Sequence, residues 1–310
     1  MKVLVTGADG FVGGWLARAL LEAGHTVGGT RGPATAASRV LTPDEQCRID
    51  WRLLDLSAPD SVNRAVQGTW DAVVHLAALA SGGEARRDPG LAWNVNAAGT
   101  ARLAESLLAE SPLLLLVSTG EVYGQGSGVP RRETDPVAPC SPYAASKAGA
   151  ELAAAEVARR AGLRVVVARP FPHTGPGQDG RFVLAALAAR LKVARRIGAP
   201  AINTGNLEPV RDLLDVRDVV TAYLALLSQG RAGEIYNIAS GQGHRLADLL
   251  SRMQRLQGSR VIAEYDPGLG RRSDILHLVG DASKLRAATG WMPRIPLDQT
   301  LQDLLDAQTD

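Results

Sequence analysis

Residues 2–16 read KVLVTGADGFVGGWL, and this stretch decides the fold. Lys2 to Thr6 is a short apolar run with β-branched residues at alternate positions, the composition of a buried strand. Gly13 to Ala23 follows with Leu16, Ala19 and Leu20 at helical spacing. Between the two, Gly7, Gly10 and Gly13 spell G-x-x-G-x-x-G. A strand that runs through spaced glycines straight into a helix is built to receive a pyrophosphate. Glycine makes the tight turn and removes the Cβ that would hold an anion off the backbone. The helix start then presents unspent N–H groups and the positive end of its dipole. Gly7, Gly10, Phe11, Val12 and Gly13 are therefore candidate dinucleotide contacts.

Outward from this turn, His25 to Thr30, Asp50 to Leu54, Ala72 to Leu76, Leu113 to Ser118 and Leu163 to Ala168 read as further strands. Asn94 to Ala109 and the alanine-rich Pro142 to Arg160 read as helices. Strand–helix alternation with nearly continuous apolar strands implies an α/β protein, a doubly wound parallel sheet of the Rossmann type covered on both faces. After Arg169 the regular spacing ends in a loop-rich boundary of Pro170, Pro172, Gly175, Pro176 and Gly177. The expected organisation is a dinucleotide-binding domain over residues 1–168, joined by a strand and a helix from about 212–238. A smaller C-terminal α/β substrate domain takes up most of residues 169–310.

Composition narrows the class. The 310 residues are 45% hydrophobic and 21% charged, with a net charge of +2. That excludes a disordered chain and argues against a nucleic-acid binder, which carries a strong basic excess. The basic stretch Arg190 to Arg196 reads as a solvated helix face. No apolar run reaches the roughly 18–20 residues needed to cross a bilayer. Glycine interrupts the N-terminal MKVLVTGADG too early for a secretory leader. Cys47 and Cys140 cannot build a disulfide framework, and the five histidines include no H-E-x-x-H pair. A soluble cytoplasmic protein without a structural metal or a membrane partner is expected.

The end of the second strand selects the cofactor. An acid there would bond the adenosine ribose of NAD. The chain instead has Gly28-Gly29-Thr30-Arg31-Gly32, and Arg31 can clamp a 2′-phosphate. NADP is favoured, with NAD left open. Asp55 and Leu56 follow the third strand at the adenine edge, and Leu76, Ala77 and Ala78 end the fourth, where small side chains let the cofactor lie close.

Tyr143 and Lys147 are four residues apart, on one face of a helix that Pro142 opens favourably. A phenol with its ordinary pKa of about 10 is acidified by roughly 1–3 units beside a cation, toward a value useful for proton transfer. Y-x-x-x-K alone arises often on surfaces, but here it follows a strand ending in Ser118-Thr119-Gly120-Glu121. Ligands of an open parallel sheet sit at the carboxyl ends of its strands. Thr119, Glu121, Tyr143 and Lys147 are the candidate catalytic group.

TGADGFVG (6–13), HLAA (75–78), NAAGT (96–100), VSTGEVYG (117–124) and YAASK (143–147) resemble the extended short-chain dehydrogenase/reductases that act on nucleotide sugars. The resemblance implies a Thr119–Tyr143–Lys147 triad and a role for Asn96 in organising the proton path. In the second half, RPFPHTGPGQ (169–178), GNLEPVRD (205–212), DVRDV (215–219), RRSD (271–274) and GWMPRIP (290–296) are most similar to the GDP-4-keto-6-deoxy-D-mannose reductases of that family. Arg211 and Arg271 then resemble pyrophosphate or guanosine contacts, and arginine forks suit a diphosphate. Pro170 joins the implied cofactor contacts; Ser118, His173 and Val183 join Thr119, Glu121 and Tyr143 at the substrate. Pro172 and Arg272 depart from the family pattern, which has Asn and Pro there.

The implied activity is NAD(P)H-dependent reduction of the C4 keto group of a GDP-4-keto-6-deoxyhexose, giving a GDP-rhamnose-type product, with Tyr143 as general acid. A 4,6-dehydratase or 4-epimerase using Glu121 as base is the alternative, and a non-catalytic NADP-binding regulator a second one. The resemblance also implies a homodimer, through a four-helix contact of residues near 94–109 and 142–160.

Overall fold

Alternate residues of strand β1 (Lys2–Thr6) serve two separate cores. Val3 and Val5 pack with Leu16 and Leu20 of helix α1 (Phe11–Glu22) and with Tyr223 and Leu226 of the helix Val216–Gln229. Leu4 packs on the opposite side with Val73, Leu114, Leu116 and Leu103. The same division runs across β4 (Ala72–His75), β5 (Leu113–Val117) and β6 (Val165–Pro170), whose odd and even positions fill opposite clusters. A strand apolar at every position is the pattern of a sheet buried on both faces.

The computed structural model describes residues 1–33, 38–126, 128–269 and 275–307. With β2 (Thr26–Arg31) and β3 (Asp50–Leu53), these strands form one seven-stranded parallel sheet. Its order is Ile235–Ile238, β6, β5, β4, β1, β2, β3. From β1 the chain winds outward through β2 and β3 and then returns to β4 on the other side of β1. The crevice at the carboxyl ends of β1 and β4 is thus the switch point where ligands bind in such folds.

The helix Pro142–Ala161 begins as expected. Ser141 caps it by accepting from the Ala144 N–H at 3.1 Å, Pro142 takes the first turn, and Gly162 ends it in the left-handed region. The expected helix over Asn94 to Ala109 differs: Trp93–Ala98 is a π-turn, and only Gly99–Ser106 is α-helical. The wide turn accompanies a buried polar group. Asn96 exchanges bonds with the backbone of Leu79 and donates to Ser146 Oγ at 2.9 Å, while the Thr100 hydroxyl takes the Asn96 carbonyl at 2.6 Å.

A third core lies beyond the sheet. Leu184, Leu187 and Leu191 of the helix Val183–Ile197 meet Leu249 and Met253 of Leu246–Gln257 and Leu301 and Leu304 of Leu297–Asp306. Among the described residues no helix is long and apolar enough to cross a membrane.

Candidate active site

The glycine turn leaves no room for side chains. Gly7 has φ +70°, donates to Thr30 Oγ1 at 3.0 Å, and would place a Cβ 3.0 Å from the backbone of Ala77. A Cβ on Gly13 would lie 2.0 Å from the Gly7 carbonyl oxygen. Gly10 is the N-cap of α1; no side chain bonds the cap, and the first helical turn holds no acid. This cradle fits a dinucleotide pyrophosphate: no side chain caps the start of α1, its first turn holds no acid, and the glycines leave the backbone open to close approach, although Asp9 in the turn before it carries a buried Oδ2 without a partner among the described residues. Phe11 and Val12 are half-buried there.

The ends of β1 and β4 are tied together. The Thr6 oxygen accepts from the Leu76 and Ala77 N–H groups at 3.1 Å each, so its hydrogen is left for His75 Nδ1 at 2.8 Å. His75 Nε2 therefore carries the proton and donates to Thr100 Oγ1 at 3.1 Å. Burial first, and then the charge of Lys147, hold this imidazole neutral, with its pKa near 3. Ala78 is half-buried beyond them. Arg31 is exposed at the end of β2. Asp55 turns to its own loop, where the Ser57 hydroxyl and N–H hold its carboxyl below the usual range. Leu56 is buried in the core and Pro170 at the end of β6.

Thr119, Glu121 and Tyr143 come together at the end of β5. Thr119 opens a 3-10 turn over Gly120–Tyr123 by accepting from the Glu121 N–H at 3.2 Å, and its side chain also bonds the Tyr143 hydroxyl. Burial, and after it the charge of Glu121, push the phenol above its ordinary value; the Thr119 bond pulls the other way. The expected acidification of Tyr143 by Lys147 is thus corrected: burial and Glu121 dominate. Lys147 is 4% exposed, and its ammonium makes no hydrogen bond among the described residues. Burial lowers its pKa to about 8, against the opposing pull of Glu151. Asn96 reaches the tyrosine helix through Ser146, whose hydroxyl donates to the Tyr143 carbonyl at 2.8 Å.

The other sequence-derived residues are dispersed. Ser118 is buried and spends its hydroxyl on Glu151. His173 Nδ1–H donates to the Phe171 carbonyl at 2.9 Å, and burial keeps the ring neutral, so Nε2 is an acceptor. Val183 is the exposed first residue of its helix. Arg211 Nη1 donates to the carbonyls of Val210 and Ile275, at 3.0 and 2.6 Å. Arg271 and Arg272 lie outside the described residues. Sequence reasoning missed Glu151, Arg169 and Asn237. Two signals pointed to the first two: Glu151 is one helical turn past Lys147, and Arg169 is a charge ending an otherwise apolar strand.

The model of the family described as GDP-mannose 4,6 dehydratase matches residues 4–304. A GDP-6-deoxy-D-mannose reductase of Pseudomonas aeruginosa is 35% identical, over 98% of this chain and 96% of that protein. The solved structure of RMD from Pseudomonas aeruginosa complexed with NADPH is 34% identical with a TM-score of 0.83, covering 99% of this chain and 98% of that one. A UDP-glucose 4-epimerase from Thermotoga maritima with UDP-glucose is 27% identical with a TM-score of 0.90, covering 99% and 98%.

Proposed function

Because the chain belongs to the GDP-mannose 4,6-dehydratase family, we propose that it reduces the C4 keto group of a GDP-linked 4-keto-6-deoxyhexose, with NADPH as reductant and a GDP-rhamnose-type sugar as product. The observation that carries this reading is the state of Tyr143. Its hydroxyl bonds Thr119 at the carboxyl end of β5, and burial and Glu121 push the phenol above its ordinary value, the disposition of a group that gives up its proton only to a strongly basic oxygen. Reduction needs an acid at the carbonyl oxygen, whereas an enzyme that first oxidises its sugar needs a base there.

NADPH supplies the hydride when bound. Tyr143 gives the phenolic proton to the oxygen that becomes the C4 hydroxyl. Thr119 donates to the same oxygen, a preorganised contribution to its developing charge. Lys147, a buried ammonium with no protein acceptor among the described residues, bonds the cofactor ribose and offsets the phenolate left behind. The Gly10 end of α1 receives the pyrophosphate, and Arg31 the 2′-phosphate; NAD is the alternative cofactor. His173 Nε2 accepts from a substrate hydroxyl, and Val183 and Arg211 lie on the substrate side. Residues 1–168 with about 212–238 form the cofactor half, and 169–310 mainly the substrate half. The enzyme works in the cytoplasm, in keeping with two unpaired cysteines, and as a homodimer.

The test is stoichiometry. With GDP-4-keto-6-deoxy-D-mannose, one NADPH should be consumed per product formed. Turnover of GDP-mannose without added reductant overturns the reading. Glu121 beside the phenol favours a second reading, a 4,6-dehydratase or 4-epimerase with Glu121 as base, which shows no net cofactor consumption in the same assay.

A further inference from the structure

Glu151 and Arg169 have no part in the scheme above, yet they are buried directly behind it, at 8% and 3% exposure. Arg169 grips the carboxylate through two bonds, Nε to Oε1 at 3.0 Å and Nη2 to Oε2 at 2.6 Å. Ser118 donates to Oε1 as well. On its other side Arg169 donates from Nη1 to the Tyr123 hydroxyl at 2.9 Å and lies over that ring, 4.9 Å from its centroid. Tyr123 donates onward to Asn237 Oδ1 at 2.7 Å. A buried ion pair with this much support is seldom kept for stability, since apolar residues of equal volume serve as well or better.

Its neighbour supplies the reason. Lys147 stands one turn before Glu151 on the same helix face, buried and donating to no protein group among those described. A desolvated ammonium without a counter-charge sheds its proton. We infer that Glu151 is a positioning residue for Lys147: its carboxylate, locked in place by Arg169 and Ser118, is the counter-charge that keeps the ammonium cationic while leaving its hydrogens unspent.

The surroundings agree. Burial pulls the lysine down, and Glu151 is the group that holds it up. His75 faces Lys147 from β4 and is neutral, so it adds no second positive charge beside the ammonium, and the counter-charge must come from elsewhere. The Arg169 fork occupies both carboxylate oxygens, which turns Glu151 away from a direct salt bridge that would consume the ammonium.

The inference rests on the reading of Lys147 as a cofactor-facing cation, and its test does not require turnover. Competitive amine labelling of the full chain across pH, read by mass spectrometry at Lys147, gives its titration midpoint, expected near 8 in the wild type. Glu151→Gln should lower the midpoint by about half to one pH unit, raising labelling at pH 7 roughly three- to fivefold. NADPH affinity, followed by fluorescence, should begin its alkaline decline at correspondingly lower pH. An unchanged midpoint in folded Glu151→Gln overturns the proposal, because a purely structural pair would not move it. Should that variant not accumulate, Glu151→Leu made together with Arg169→Met removes the carboxylate without leaving an unpaired buried guanidinium and should lower the midpoint as well; no change there overturns the proposal equally. A shifted midpoint in a chain that fails to reduce GDP-4-keto-6-deoxy-D-mannose would sink the assigned reaction and leave the role of Glu151 standing.

Discussion

Tyr143 and Lys147 show what burial does to two groups of opposite charge type. It favours the neutral form of each, so the phenol rises and the ammonium falls to about 8. Tyr143→Phe removes the acid and little else. It should lower kcat by about 10²–10⁴-fold while NADPH still quenches fluorescence normally, and turnover near the wild-type rate would end the assignment. The lysine sets the pH behaviour. Below about 8 it carries its charge, so kcat/KM should decline as pH rises through that value. Stability should move the other way. The folded value lies below the ordinary 10.5, so between about 8 and 10.5 the unfolded chain binds the extra proton, and this group's contribution to stability improves as pH rises. Rates and urea midpoints at several pH values across that window check both signs together. The Tyr–Lys spacing was readable in the sequence. The direction of the tyrosine shift was not, because it depends on burial and on Glu121, and a one-dimensional spacing encodes neither.

Glycines separate steric need from conformational need at the level of elements. Gly13 sits in α1 where a Cβ would meet the Gly7 oxygen at 2.0 Å, so Gly13→Ala must push the phosphate turn out of shape. A cost of about 1–3 kcal/mol in stability is expected for such overpacking, with NADPH affinity falling at least about tenfold. Gly162 has open space around it and only its φ of +76° to preserve. Gly162→Ala should therefore cost about 1 kcal/mol and leave NADPH affinity alone. Equal affinity losses in the two variants, measured beside their urea midpoints, would refute the distinction. The strand–glycine–helix unit was legible because three signals agree within a dozen residues. The π-turn at Trp93–Ala98 was not, since six residues of apolar spacing fit a helix of either pitch; it accompanies the buried amide of Asn96, whose partners Leu79 and Ser146 lie far off in sequence.

On the scale of the molecule, regular alternation made the first six strands readable up to Ala168, whereas the second half is built from strands of two to four residues that carry too little periodicity to announce themselves. What the folded chain adds is a surface. Gly149 lets the Trp93 ring approach to within 2.6 Å of where a Cβ would stand, so the tyrosine helix and the π-turn lie close together. Their outer residues include Leu152 at 70% exposure and Trp93 at 47%. Large apolar side chains left to water on two adjoining helices suit a self-complementary contact, in which a two-fold axis brings the same patch from each copy together. Such symmetry doubles every substitution. Leu152→Glu would bury two carboxylates in one interface with no cation arranged to receive them, a penalty of several kcal/mol for one changed codon. The wild-type chain should sediment as a dimer at micromolar concentration, and Leu152→Glu as a folded monomer that still binds NADPH. A wild-type chain that sediments as a monomer removes the dimer from the account; a Leu152→Glu chain that stays dimeric moves the contact to another face.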